Sequence, residues 1–106
     1  MSADGTNGFD WDEGNWPKCG KHGVSKREIE RVFAEGPSVS LDKGSHSEPR
    51  FIAVARIDLR FVYVAFTFRR RRGHRLVRPI SARYMHAKEV RRYVRQAIEE
   101  VSDVRD

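Results

Sequence analysis

Seven arginines fall within the fifteen residues from Arg69 to Arg83, and five of them, Arg69, Arg71, Arg75, Arg78 and Arg83, have aromatic residues interleaved with them. Tyr63, Phe66, Phe68 and Tyr84 lie on the same stretch. Guanidinium forks grip phosphates bidentately, and aromatic and guanidinium planes stack on single-stranded bases. The substrate class that such a set addresses is nucleic acid, RNA in particular. RNA carries its own nucleophile in the 2′-hydroxyl. A protein that cleaves it need only align the attack, meet the charge that grows on phosphorus, and move protons. Arginines suit the second task. His22, His74, His86 and Tyr84 are candidates for the third. Weighed against this, Phe66 and Phe68 fit a hydrophobic core as well as a base platform. Arg70 and Arg72 fit a solvated hairpin tip.

Other chemistries find less support. Cys19 and His22 have a C-x-x-H spacing, but no second pair follows and His46, His74 and His86 are scattered, so no zinc site is expected. Cys19 beside His22 is read as a small loop residue rather than a nucleophile. No G-x-S-x-G or P-loop pattern occurs, and no cofactor is expected. With a single cysteine there is no intramolecular disulfide, and a reducing cytoplasm is the natural setting. No charged start leads into an apolar stretch, so no signal peptide is expected. The longest apolar run, Phe61 to Phe66, is too short to cross a bilayer, so no membrane partner is expected.

The 106 residues carry a formal charge of +6, unevenly spread. The first fifty hold 7 Lys and Arg against 9 Asp and Glu, and the remaining residues hold 14 against 6. Between Arg56 and Arg95 there are thirteen basic residues and two acids. Such an excess draws polyanions, because phosphates bound to it release their counterions. It also suits an acidic or amphipathic segment of a protein partner.

The elements that must position these side chains follow from local pattern. Residues 1–8 read as a polar tail, and Phe9 to Trp11 as a short strand. Ser25 and Glu28 make a capping box with Val24 and Ile29 at the staple positions, which predicts a helix from Lys26 to Glu35 ended by Gly36 and Pro37. Ser38 to Leu41 is a weak strand. Alternation over 51–57, and an aromatic and β-branched run over 61–68, predict two strong ones. Asp58 to Arg60 joins them without a strong turn residue. Gly73 tips a basic hairpin that returns over 75–83. Pro79 cannot donate to a ladder, so that strand is an edge or is bulged there. Val90, Tyr93, Val94, Ala97, Ile98 and Val101 recur at helical spacing and predict a last helix over 87–101. The order gives one α+β domain over 9–102, with a tail at 103–106 and helices packed on one face of a curved antiparallel sheet.

At this point the pieces resemble a known family. Phe9-Asp10-Trp11-Asp12, then Lys21-His22-Gly23-Val24-Ser25, then a helix ending in Val32-Phe33, look like the front half of BrnT toxins. Asp42, His46-Ser47-Glu48 and Arg50-Phe51-Ile52-Ala53 match the middle, and Phe66-Thr67 and Arg78-Pro79-Ile80-Ser81-Ala82-Arg83 the closing strands. The resemblance implies a compact fold similar to RelE-type ribonucleases and RNA cleavage that halts translation. It implies neutralisation by a BrnA-type antitoxin, whose DNA-binding domain carries the complex to its operator. It carries over Lys21 and His22 from the front element and Thr67, Arg78, Ser81 and Arg83 from the sheet. Departures occur at Asn15 to Gly20, at the tip Arg69 to Arg72, and at Arg83 to Ala87.

The combined expectation is a metal-independent endoribonuclease. Arg78 and Arg83 would bind phosphate, with Lys21 and His22 at the rim and Tyr84 or His86 aiding proton transfer. Thr67, Arg69, Arg71, Arg75 and Ser81 would contact RNA. Arg78 and Arg83 are five residues apart, which puts them on opposite faces of an ideal strand, but a bulge at Pro79 would return both to one face. The alternative is a non-catalytic nucleic-acid- or protein-binding module built on the same basic surface.

Overall fold

The structure, a computed structural model, describes residues 8–44 and 46–104. Most of the expected N-terminal tail therefore lies outside the described residues, as does the end of the C-terminal one. A short 3-10 turn at Lys18–Gly20 precedes helix α1 (Lys26–Ala34). Four strands follow: β1 (Ser38–Asp42), β2 (Arg50–Ile57), β3 (Arg60–Arg71) and β4 (His74–Tyr84). Helix α2 (Ala87–Val104) closes the order. The strands pair antiparallel in the sequence β1-β2-β3-β4, a meander. Strands 51–57, 61–68 and 75–83 thus share one sheet, as the pattern predicts, and the real strands run slightly longer. The architecture is α+β.

Helix α1 starts where its cap requires. Ser25 Oγ accepts from the Glu28 backbone N–H at 3.0 Å, and Glu28 Oε1 accepts from the Ser25 backbone N–H at 3.0 Å. Two donors that would otherwise face water are satisfied. Gly36, at φ 67°, supplies the left-handed residue that ends the helix. Ser25→Ala is expected to cost about 1 kcal/mol, read as a lowered urea midpoint at unchanged slope. A wild-type midpoint would show that the cap adds nothing here.

The hairpins solve their turns differently. β3 and β4 join through Arg72 and Gly73, both at positive φ (53° and 81°), which suits the twist of a two-residue hairpin. β2 and β3 join through Asp58 and Leu59, and Asp58 takes φ 57°. Aspartate tolerates that conformation better than most side chains, so this turn forms without glycine.

Register divides the sheet into two faces. Ala53, Ala55, Ile57, Val62, Val64, Phe66, Val77 and Ala82 face α1 and are buried with Val24, Ile29, Val32 and Phe33. Phe66 stands edge-on to Phe33 at 4.9 Å, and Phe33 to Phe9 at 5.6 Å. Phe66 and Phe68 are accordingly part of the apolar packing, as their core reading expects. Gly8 and Phe9 extend the outer edge of β4: Val77 N–H donates to Gly8 O at 2.9 Å, and Asp10 N–H to Val77 O at 2.8 Å.

Helix α2 departs from the expectation that both helices pack on one face. It lies on the side away from α1, beside an open groove of about 860 Å³ whose floor includes Ile52, Val54 and Tyr63. Its contacts include Phe61 with Tyr93, ring centres 5.8 Å apart, and Glu89 with Arg83. The face above α1 is already filled by that helix and by the segment around Cys19, so the last helix is left to the other face. There Ile52, Val54 and Tyr63 offer only a small apolar floor, and Val94 and Ile98 remain 40% and 61% exposed.

Candidate functional site

A bulge on β4 sets the geometry of the arginines. Ser81 pairs with Ala65 and Pro79 with Phe66, so Ile80 is the extra residue. Pro79, which has no N–H to give, sits beside it and is fully buried. Beyond the bulge Arg83 pairs with Tyr63, and before it Arg78 pairs with Thr67. Tyr63 and Thr67 share a face, so Arg78 and Arg83 do too, on the side opposite the core. Four residues of β3 separate their partners, about 13 Å of strand. Two forks that far apart do not meet on one phosphate; they reach different points along a chain.

Arg83 lies at the end of the strand. Its guanidinium stacks on Tyr63 at 4.3 Å and donates to both oxygens of Glu89, at 2.8 and 2.9 Å. Glu89 also accepts from the His86 backbone N–H at 2.9 Å, closing the first turn of α2. The hydrogen bonds from Arg83, then that from His86, hold the Glu89 carboxyl down at about 2, and Glu89 in turn raises the pKa of Arg83 further. Glu89 engages one N–H on each terminal nitrogen, so the fork keeps other donors for an anion. His86 is exposed beside it.

Tyr84 points to the other face. Its hydroxyl donates to Glu28 at 2.8 and 3.0 Å, and the Arg60 guanidinium stacks on its ring at 3.7 Å. Burial, then the Glu28 hydrogen bond and charge, push the Tyr84 phenol up, so it remains protonated at neutral pH. Burial alone would raise Glu28, but hydrogen bonds from Ser25 and Tyr84 and the charge of Arg60 outweigh it and hold its carboxyl low. A Cβ placed on Gly23 would lie 4.0 Å from the Tyr84 ring, so the Lys21-His22-Gly23 segment passes this tyrosine. Lys21 and His22 are both exposed. The fold thus brings Lys21, His22, Tyr84 and Glu28 to one side of the end of β4 and Arg83, His86 and Glu89 to the other.

The remaining candidates disperse. Arg78 is nearly covered, its side chain 14% exposed, and donates to Asp10 at 2.9 Å and to both Asp12 oxygens at 3.0 Å. Its hydrogen bonds to Asp12 and then to Asp10 raise its pKa. Arg71 joins Asp10 at 3.2 Å, and Arg69 joins Glu48 at 2.9 Å. Thr67 is buried, and its hydroxyl donates to Pro49 O at 2.8 Å. Arg75 lies on the core side, stacked on Phe68 at 3.8 Å. Ser81 is exposed on the arginine face between Arg78 and Arg83. Cys19 is buried at 1% exposure, and burial pushes its thiol up, which leaves it a packing residue. Among the described residues, no three His, Cys, Asp or Glu side chains stand close enough together to hold a metal ion.

Glu28, Arg60 and Glu89 belong to these clusters and are absent from the sequence-derived candidates, whereas Tyr63 is present there as a stacking aromatic. Glu89 carried a signal: His86-Ala87-Lys88-Glu89 places a glutamate at the third helical position, where it accepts from the cap residue's N–H. Glu28 was visible as a cap but not as the partner of a tyrosine 56 residues away. That pairing depends on register, which sequence spacing does not reveal.

Fold and site together define a small α+β protein that carries an arginine fork, tyrosines and histidines around one end of an antiparallel sheet, an arrangement suited to phosphodiesters. Residues 11–89 match the family model of the ribonuclease toxin BrnT of type II toxin–antitoxin systems, and the chain belongs to that family. No curated protein matches the chain. Among the described residues, no helix is long and apolar enough to cross a membrane.

Proposed function

We propose that this chain is a cytoplasmic, metal-independent endoribonuclease that inhibits translation by cutting RNA and is neutralised by a BrnA-like antitoxin, through which the complex binds operator DNA. The family match over residues 11–89 is the observation that carries this reading. The four-stranded antiparallel sheet with its two helices supports the RelE-like relationship that the resemblance implies. In this reading the 2′-hydroxyl of the RNA attacks the adjacent phosphorus and the 5′-oxygen leaves, giving a cyclic phosphate. Arg83, oriented by Glu89 and Tyr63, meets the charge that grows on the phosphoryl oxygens. His86, on the Arg83 side of β4, takes and returns the protons, and Lys21 and His22, on the Tyr84 side, meet RNA that passes the end of the strand. Tyr84, kept neutral, positions the Lys21-His22 segment through Glu28. Arg78 holds the sheet edge in shape, Arg71 adds salt-dependent attraction for RNA, and Ser81 faces the RNA between Arg78 and Arg83. Thr67, Arg69 and Arg75 lie further along the same hairpin, where they support the surface that the RNA crosses.

Purified protein incubated with a single-stranded RNA and excess EDTA should cut it at the rate seen without chelator, leaving 2′,3′-cyclic phosphate ends. Loss of cleavage with EDTA, restored by a divalent ion, would refute the metal-independent chemistry. Salt-dependent RNA binding with no cleavage under any condition would instead establish a non-catalytic binding module.

A further inference from the structure

The groove between α2 and the sheet opens beside Arg83. Register sets Ser38, Val54, Tyr63 and Arg83 next to one another across the four strands, on the face where α2 lies. Tyr63, on which the Arg83 guanidinium stacks, is part of the groove floor. Glu89, which aims that guanidinium, is part of its wall. A phosphate held by Arg83 therefore has the groove next to it. The groove's 860 Å³ lies within the range of sites that hold small molecules, about 300–1,000 Å³.

The lining suits a nucleobase and not a phosphate. Helix α2 brings Glu89, Tyr93 and Ala97 to the groove in one row and Arg92, Gln96 and Glu100 in the next. Glu89 is taken by Arg83, and Arg92 and Glu100 offset each other in charge, so the groove exerts no net pull on a phosphodiester. It offers instead the aromatic and thioether surfaces of Tyr63, Tyr93 and Met85 and the uncharged amide of Gln96. A base is planar and uncharged, with apolar faces and with donors and acceptors on its edges. Single-stranded RNA is read by stacking those faces on aromatic rings and bonding those edges to side chains. The depth fits as well. At a rise of about 1.5 Å per residue, Tyr93 stands about 6 Å and Gln96 about 10 Å along the helix from Glu89. That is the reach of one nucleotide from its phosphate to its base edge. Ala97, one turn past Tyr93, is small enough to leave the space open. We infer that this groove is a base subsite: with a phosphate on Arg83, the base of an adjoining nucleotide enters between α2 and the sheet, stacks on Tyr93 and is read by the Gln96 amide. The inference rests on the ribonuclease reading above and makes Gln96 a specificity-determining residue.

The test uses the full chain and a pool of short single-stranded RNAs of random sequence, with cut sites read by sequencing the product ends. Wild type should favour one base, or one class of base, at a position beside the cut. Gln96→Ala should flatten that preference and leave the total cleavage rate close to that of wild type. Gln96 is exposed, and a merely structural role for it would not move base preference. Tyr93→Ala should raise KM about 10- to 100-fold through the loss of one base stack, with kcat much less affected. Tyr93→Phe keeps the ring and should behave as wild type. Because Tyr93 also packs on Phe61, Gln96→Ala decides the matter if Tyr93→Ala does not fold. An unchanged base preference in Gln96→Ala, or a wild type with no preference beside the cut, would overturn the inference and leave the nuclease reading intact. If wild type cuts no RNA in the pool, the nuclease reading fails and the inference falls with it. If both alanine variants cut as wild type does but no longer bind a purified protein partner, the groove belongs to that partner and the inference is overturned.

Discussion

Arg83→Ala is expected to lower the single-turnover rate of RNA cleavage by about 10²–10³-fold, roughly 3–4 kcal/mol of transition-state stabilisation, while leaving the protein folded. The side chain stacks on Tyr63 and is aimed by Glu89, so its position is fixed before substrate arrives. A donor fixed in advance loses little to reorganisation when charge develops on phosphate. The stability cost should be small, because about a third of each partner of the Arg83–Glu89 pair is open to solvent. Exposed pairs of this kind contribute about 0–1 kcal/mol. Arg83→Lys should recover little activity, since an ammonium offers neither the planar fork nor the stacking face. Arg71→Ala serves as the contrast: it should lower RNA affinity modestly and mainly through the salt slope. Wild-type cleavage by purified Arg83→Ala would remove this arginine from the reaction centre.

Much of the fold is legible in local sequence, for a physical reason. The cap at Ser25 and Glu28 and the left-handed stop at Gly36 are satisfied within a few residues, and short-range pattern reports them. Strands β2, β3 and β4 are marked by their own alternation and branching. The bulge was also accessible, since Pro79 announces a missing donor. What local pattern misreads is α2. Its stripe has the period of a buried helix, and periodicity alone cannot say whether the stripe faces this domain or another molecule. The structure leaves its outer row exposed.

The candidate site was legible only in part, and charge is the reason. The sequence shows a basic second half and an acidic first half, which on its own invites a polyanion to the arginines. Folding brings the two halves together first. Asp10, Asp12 and Glu48 take Arg71, Arg78 and Arg69, so much of the apparent positive surface is internally balanced. The same geometry gives the Phe9-Asp10-Trp11-Asp12 segment a structural role. Phe9 packs on Phe33, Trp11 Nε1 donates to Glu30 at 2.8 Å, and both aspartates hold Arg78. Four consecutive residues thus fasten the N-terminal segment to α1 on one side and β4 on the other.

Arg78→Ala should therefore act on stability before it acts on chemistry. Asp10 is 11% exposed and Arg78 14%, and Asn15, buried beneath them, donates to the backbone oxygens of Asp10 and Pro79 at 3.0 and 2.9 Å. Removing the guanidinium leaves Asp10 with only the more exposed Arg71. Breaking a fully buried pair costs about 3–5 kcal/mol; with Asp12 half exposed and Arg71 still present, a loss of about 2–3 kcal/mol is expected. For a domain of this size that lowers Tm by roughly 10–15 °C. The pH dependence carries the sign of the cause. Burial works to raise the Asp10 carboxyl, but Arg71 and Arg78 outweigh it and hold the carboxyl below its ordinary value of 3.8. A depressed carboxylate contributes its stability above the unfolded value and loses it as pH falls through the folded one. Wild type should thus lose stability below about pH 4 more steeply than Arg78→Ala, and the two melting curves should converge in acid. Arg78→Met combined with Asp10→Asn should recover part of the loss, because it removes the stranded charge as well as its partner. If Arg78→Ala melts with wild type at neutral pH yet no longer cuts RNA, Arg78 belongs to the phosphate site and not to the clamp.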